Sequence, residues 1–154
     1  MSRFWSKVVH GLTPYTPGEQ PKLANLIKLN TNECPYPPSE KVLEAIRSAV
    51  NGELRLYPDP DSTALRQAIA DFYGITRDHV FAGNGSDEIL AFAFQALLNH
   101  DGPLVYPDIT YSFYPVYCQL NGIRAEHIAL EADFSLDLDK VPTHAGAVIF
   151  PNPN

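Results

Sequence analysis

The chain has 154 residues, 45% hydrophobic and 19% charged, with a formal charge of −7. This is the composition of a globular domain and excludes a disordered or collagen-like chain. Eleven scattered basic residues exclude the clustered Lys and Arg that nucleic acid or an anionic membrane surface requires.

The first forty residues carry TPYTPGEQP and NTNECPYPPSE and show no sustained apolar period, so they are predicted to form an extended arm. From Ser39, a candidate N-cap, Val42, Leu43, Ile46, Ala49 and Val50 recur at helical spacing until Asn51-Gly52. The turn-rich LYPDPDS leads to a second amphipathic helix with Leu65, Ala68, Ile69, Phe72 and Tyr73 on one face and Gly74 as its stop. His79 to Ala82 is predicted as a short strand, GNGSDE as a turn, and Ile89 to Leu98 as a helix so apolar that it must be buried on most sides. Leu104 to Tyr106 follows as a strand and Thr110 to Leu120 as an aromatic-rich helix. After Asn121-Gly122 come two more strands, Ile123 to Leu130 and Ala147 to Phe150. This alternation implies an α/β fold with a mostly parallel sheet and helices on its faces.

The strongest local signal is GNGSDE, Gly83 to Glu88, where a predicted strand runs through two glycines into a helix. Glycines permit the tight turn, and unpaired amides at a helix start, aided by the dipole, suit a phosphate. A plainly capped helix start would use the same residues, since Ser or Asp followed by Glu satisfies those donors without a ligand. GxGxxG and GxxxxGK[ST] spacings are absent, so neither a dinucleotide fingerprint nor a P-loop is indicated. Within PDITYSFYPVY most aromatics suit a core. Tyr111 differs, being placed at the first turn of its helix beyond the carboxyl end of a strand, where ligands of open α/β sheets gather. Tyr15 to Gly18, Asn30 to Glu33 and Tyr57 to Pro60 read individually as rigid turns. Cys34 and Cys118 form no CxxC pair, the five histidines lie in separate segments, and no metal site is indicated. No apolar run approaches the roughly 18 residues needed to span a bilayer, and the interrupted N-terminus does not resemble a signal peptide, so a cytoplasmic protein is expected.

Taken in order, FWSKVVHGLTPYTPGEQP, KLNTNECPYPPS, RLYPDP, FAGNGSDE, YPDITYSFYPVY and the closing Asn-Pro-Asn resemble the pyridoxal-phosphate-dependent aminotransferases of fold type I. Among these the chain is most similar to the histidinol-phosphate aminotransferase family, departing from its usual pattern at Cys34 and Pro37. The resemblance covers nearly the whole chain. It implies an N-terminal portion of the fold: residues 1–54 as the arm and first helix of a small domain, and 55–154 as the first, incomplete part of a large cofactor-binding domain. It places the backbone amides of Ser86 and Asp87 on the phosphate of pyridoxal 5'-phosphate, Tyr111 against its ring, and Asn154, or less directly Asn152, on its phenolic oxygen. Tyr57 would reach the cofactor of a partner subunit, which implies a homodimer with shared sites, and Tyr15 and Asn32 would lie near the substrate. The implied reaction is amino transfer between histidinol phosphate or imidazole acetol phosphate and the glutamate/2-oxoglutarate pair. A threonine-phosphate decarboxylase, an aromatic aminotransferase or a non-catalytic dimerisation module would share much of this pattern. The family's Schiff-base lysine lies downstream of the Asn-Pro-Asn segment, and Lys7, Lys22, Lys28, Lys41 and Lys140 all lie upstream. Residues 1–154 alone are therefore expected to be inactive.

Overall fold

The computed structural model describes residues 2–13, 18–19 and 21–154. The chain divides into two compact units, one made of Met1–Thr16 with Gly83–Asn154 and the other of Pro17–Ala82.

In the Pro17–Ala82 unit, helix α2 (Glu40–Ala49) and helix α3 (Thr63–Tyr73) occupy the two predicted helical stretches; α1 (Lys7–Gly11) belongs to the other unit. Gly74 closes α3 in the left-handed conformation, φ +66°, with its N–H on the carbonyls of Ala70 and Asp71, as a glycine C-cap does. Ser39 stands at the N-cap of α2, but its side chain makes no capping hydrogen bond. The start of α3 is held instead by Asp59, whose carboxylate accepts from the N–H groups of Thr63 (2.7 Å) and Asp61 (3.0 Å). A hydrogen bond from the Thr63 side chain first, then these backbone bonds, hold the Asp59 carboxyl below its ordinary range.

The strand predicted at His79 to Ala82 is not formed. Residues Arg77–His79 make a 3-10 turn, and although Val80 is extended it pairs with no strand among the described residues. A strand exists only where a partner satisfies its backbone groups. Here Arg66 takes that place, donating through Nε to the Val80 carbonyl at 2.8 Å and through a terminal nitrogen to that of Arg77 at 3.1 Å.

The second unit holds the sheet. Its strands β1 (Leu104–Pro107), β2 (Ala125–Ile128) and β3 (Ala147–Val148) lie in the order β2-β1-β3, all parallel. Leu104 stands opposite Ala125 on one side and Ala147 on the other. The α/β fold with a parallel sheet is thus borne out. The two outer strands are shorter than the sequence suggests: β2 matches the four residues of β1, whereas β3 pairs with Leu104 and Val105 alone. β1 is buried along its whole length, as a central parallel strand must be.

Helices α4 (Gly85–Ala96) and α5 (Tyr114–Asn121) pack with the sheet around Phe94, Leu104, Tyr106, Tyr114, Tyr117, Cys118 and Ile123. Only Phe94 of α4 is fully buried, whereas Phe92 and Leu97 are exposed, so the expectation of a helix buried on most sides is corrected: one face meets the core. α5 also begins later than predicted. Residues 110–113 form a turn, Tyr114 donates its N–H to the Tyr111 carbonyl, and Pro115, in the first turn, favours a helix start there. Tyr111 consequently sits in the turn before the helix and not within its first turn. The predicted arm contains a short helix, α1 (Lys7–Gly11), whose Gly11 carbonyl accepts from Gln119 Nε2 of α5.

Candidate functional site

The carboxyl end of β1 opens into the turn Asp108 to Phe113, and the start of α4 lies beside it. Gly85 takes φ +75°, a conformation glycine adopts without strain, and carries the chain into the first turn with Ser86 and Asp87 exposed. Asn84 holds the N-cap position without a side-chain bond to the helix. The Glu88 carboxylate turns back and accepts from the Asn84 N–H at 2.6 Å. That satisfies the N-cap donor, and among the described residues no side chain accepts from the amides of Ser86 and Asp87. A Cβ at Gly83 would stand 2.7 Å from Glu88 Oε2 and 2.8 Å from Ile89 Cδ1, so any larger residue there would displace the ends of these two side chains.

Two tyrosines meet Asp87. Tyr111 donates its hydroxyl to Asp87 Oδ1 at 2.9 Å, and Tyr117 donates to the Asp87 carbonyl at 2.8 Å. Tyr111 is half-buried, edge-on to Tyr114 at 5.6 Å between ring centroids. Burial, followed by the Asp87 charge, pushes the Tyr117 phenol above its ordinary value, so this donor stays protonated. Asn154 joins the same turn, donating through Nδ2 to the Ile109 carbonyl at 3.0 Å and accepting from Thr110 Oγ1 at 2.6 Å. A cleft of ≈ 380 Å³ opens over the turn, lined by residues including Tyr106, Asp108, Thr110, Tyr111, Ser112 and His127.

Of the residues singled out in the sequence, Ser86, Asp87, Tyr111 and Asn154 are brought together. Asn152 is exposed and makes no side-chain hydrogen bond among the described residues. Tyr57 and Asn32 belong to the Pro17–Ala82 unit: Tyr57 is fully exposed, and Asn32 takes the left-handed conformation with φ +51°. Tyr15 lies outside the described residues. Sequence reasoning missed Tyr117, which looked like one more core aromatic, and Thr110, whose partner is 44 positions away. It weighed Glu88 only as part of a generic cap. Among the described residues no three His, Cys, Asp or Glu side chains gather as metal ligands, and no helix is long and apolar enough to cross a membrane.

The arrangement can hold an anion on two amides and the helix dipole, with a flat aromatic beside it. Residues 24–154 match the family model for aminotransferase class I and II. The chain is 58% identical over 154 residues to the histidinol-phosphate aminotransferase of Pseudomonas putida strain KT2440, a match covering 100% of this chain and 44% of that protein. Identity to the Aromatoleum aromaticum histidinol-phosphate aminotransferase is 60% over 158 residues, with the same coverage. To histidinol-phosphate aminotransferase 2 of Thiobacillus denitrificans it is 61% over 153 residues, covering 99% and 43%. The chain thus spans less than half the length of these relatives. Among solved structures, histidinol-phosphate aminotransferase from Sinorhizobium meliloti, in complex with pyridoxal-5'-phosphate, superposes with a TM-score of 0.70 at 22% identity, covering 86% of this chain and 37% of that one.

Proposed function

Starting from a chain that belongs to the aminotransferase class I and II family, we propose that the whole protein is a pyridoxal-phosphate-dependent histidinol-phosphate aminotransferase of histidine biosynthesis. It moves an amino group between histidinol phosphate or imidazole acetol phosphate and the glutamate/2-oxoglutarate pair. One observation carries this reading: Asp87 links the amides opening α4 to the ring of Tyr111 through a 2.9 Å hydrogen bond. A phosphate seat tied directly to an aromatic side chain suits a phosphorylated heterocycle.

The residues present fit the cofactor. Among the described residues the Ser86 and Asp87 amides have no side-chain cap to displace, and a Cβ at Gly85 would meet only open space. When bound, pyridoxal phosphate supplies an aldehyde for the substrate amine and a protonated ring that takes up the Cα electrons. Ser86 and Asp87 donate their N–H groups to the phosphate, and the helix dipole adds to the attraction. Tyr111 would lie against the ring and supply apolar and stacking contact. Asn154 keeps one Nδ2 hydrogen for the ring's phenolic oxygen, since Ile109 takes the other. The lysine that anchors the cofactor and moves the proton is outside residues 1–154.

Tyr57 reaches the phosphate in the partner subunit of a cytoplasmic homodimer, and Tyr15 and Asn32 lie near the substrate. The exposure of Tyr57, Phe72, Tyr73, Ile27 and Leu29 in one unit supports burial against another surface, because isolated domains seldom show so many large apolar side chains to water. In the whole protein the small domain takes residues 1–54 and the large domain begins at 55.

Glutamate formation from histidinol phosphate and 2-oxoglutarate by the intact protein tests the reading. Turnover is expected with the phosphorylated substrate and absent with residues 1–154 alone. A preference for aromatic amino acids lacking phosphate, or decarboxylation of threonine phosphate, would overturn it.

A further inference from the structure

Helix α4 opens with two acids, Asp87 and Glu88, in its first turn. Acidic side chains there commonly turn onto the helix's own free N–H groups, and a carboxylate so placed excludes an external anion by occupying the donors and by repulsion. Neither reaches the Ser86 and Asp87 N–H groups among the described residues. Glu88 is drawn back to the Asn84 N–H at 2.6 Å, and Asp87 is drawn aside to the Tyr111 hydroxyl at 2.9 Å. The backbone of the turn is tied as well, with Tyr117 donating to the Asp87 carbonyl at 2.8 Å. The Tyr111 ring is braced edge-on by Tyr114 and lies 6.3 Å from Phe113, nearly parallel to it, so its hydroxyl presents a fixed donor.

Resting on the cofactor reading above, we propose that the Tyr111 hydroxyl is a positioning group that holds the Asp87 carboxylate off the amide seat, leaving the Ser86 and Asp87 N–H groups to a phosphate ester. Tyr111 then has two separable functions. Its ring contributes apolar and stacking contact to any pyridoxal-like heterocycle, while its hydroxyl governs selectivity for the phosphorylated form. Without that hydroxyl the carboxylate becomes a competitor for the seat, and the penalty falls on the phosphate alone.

Dissociation constants of the intact protein for pyridoxal phosphate and for unphosphorylated pyridoxal, measured by titration calorimetry, separate these functions. Y111F retains the ring and is expected to weaken pyridoxal phosphate by about five- to tenfold, the scale of one helix-capping interaction, while pyridoxal changes less than about twofold. D87N in the Y111F background removes the competing charge and is expected to restore pyridoxal phosphate binding. A purely structural effect of Y111F would weaken both ligands alike and would not be rescued by D87N, and either result overturns the proposal. Unchanged pyridoxal phosphate binding in Y111F also overturns it. Should Y111F fail to fold, D87N alone decides: binding at least as tight as wild type is expected, and weaker binding is contrary to the proposal. Failure of the wild-type protein to bind pyridoxal phosphate would remove the cofactor reading itself, an outcome distinct from all of these.

Discussion

Several side chains around the site are set by their neighbours more than by their own chemistry. Asp87 serves three groups at once: an outward amide, a carboxylate taken by Tyr111 and a carbonyl taken by Tyr117. Beneath the turn, Tyr106 is buried against Cys118. Burial first, then the charge and hydrogen bond of Cys118, pushes its phenol up to about 12 from an ordinary 10.0. Because the folded state holds this proton more tightly than the unfolded chain, its contribution to stability is fully present below pH 10. That contribution is lost as pH rises through about 12. Urea midpoints measured from just below pH 10 upward should therefore fall more steeply for the wild type than for Y106F, which has no phenolic proton to lose. Parallel curves would show that Tyr106 is not buried in this way.

At the scale of elements, a strand depends on its neighbours. β3 is joined to β1 where two glycines face each other, with the Gly146 N–H on the Pro103 carbonyl at 2.9 Å. A Cβ at Gly102 would stand 2.5 Å from both the Gly146 nitrogen and the His144 carbonyl oxygen, and one at Gly146 would stand 2.7 Å from the Gly102 oxygen. These neighbours are backbone atoms and cannot rotate away. G102A should cost about 1–3 kcal/mol through the forced separation of β1 and β3. G52A, whose Cβ would meet nothing within 4 Å, should change stability by less than about 1 kcal/mol. Denaturant unfolding of the two variants checks the contrast. The same dependence on neighbours explains why Val80 is extended without being a strand and why α5 starts at Tyr114: the residues just before it are held by Asn154 and by the Tyr114 to Tyr111 bond.

For the whole molecule, the proposed homodimer with shared sites gives a prediction that no single subunit can meet. Tyr57 is fully exposed in its own chain, and Tyr111 is held within the other unit of the chain. If Tyr57 serves the partner's cofactor, Y57A and Y111A should each impair the intact enzyme. Mixed subunits carrying one lesion each should then regain activity, because one site of each heterodimer has both residues intact. Activity in the mixture no higher than the mean of the two variants would argue that each chain completes its own site.

Local rules determined much of this chain. The positions of α2 and α3 followed from apolar spacing, the glycine stops at Gly74 and Gly122 from their freedom at positive φ, and the α/β class from the alternation of elements. The ordered set of motifs, GNGSDE and YPDITYSFYPVY above all, pointed to the family, and Ser86, Asp87, Tyr111 and Asn154 emerged as candidates because each stands in a motif. What their side chains do to one another was decided only by the tertiary structure. Asp87 and Tyr111 are 24 positions apart, Asp87 and Tyr117 30, and Thr110 and Asn154 44. Helical and turn preferences act over about four residues. Bonds across such intervals exist only once β1, paired in register with β2 and β3, has brought the separate loop ends to one edge of the sheet. A sequence pattern can place an acid at a helix start, but whether that acid caps the helix or yields it to a ligand depends on a phenol delivered by another element.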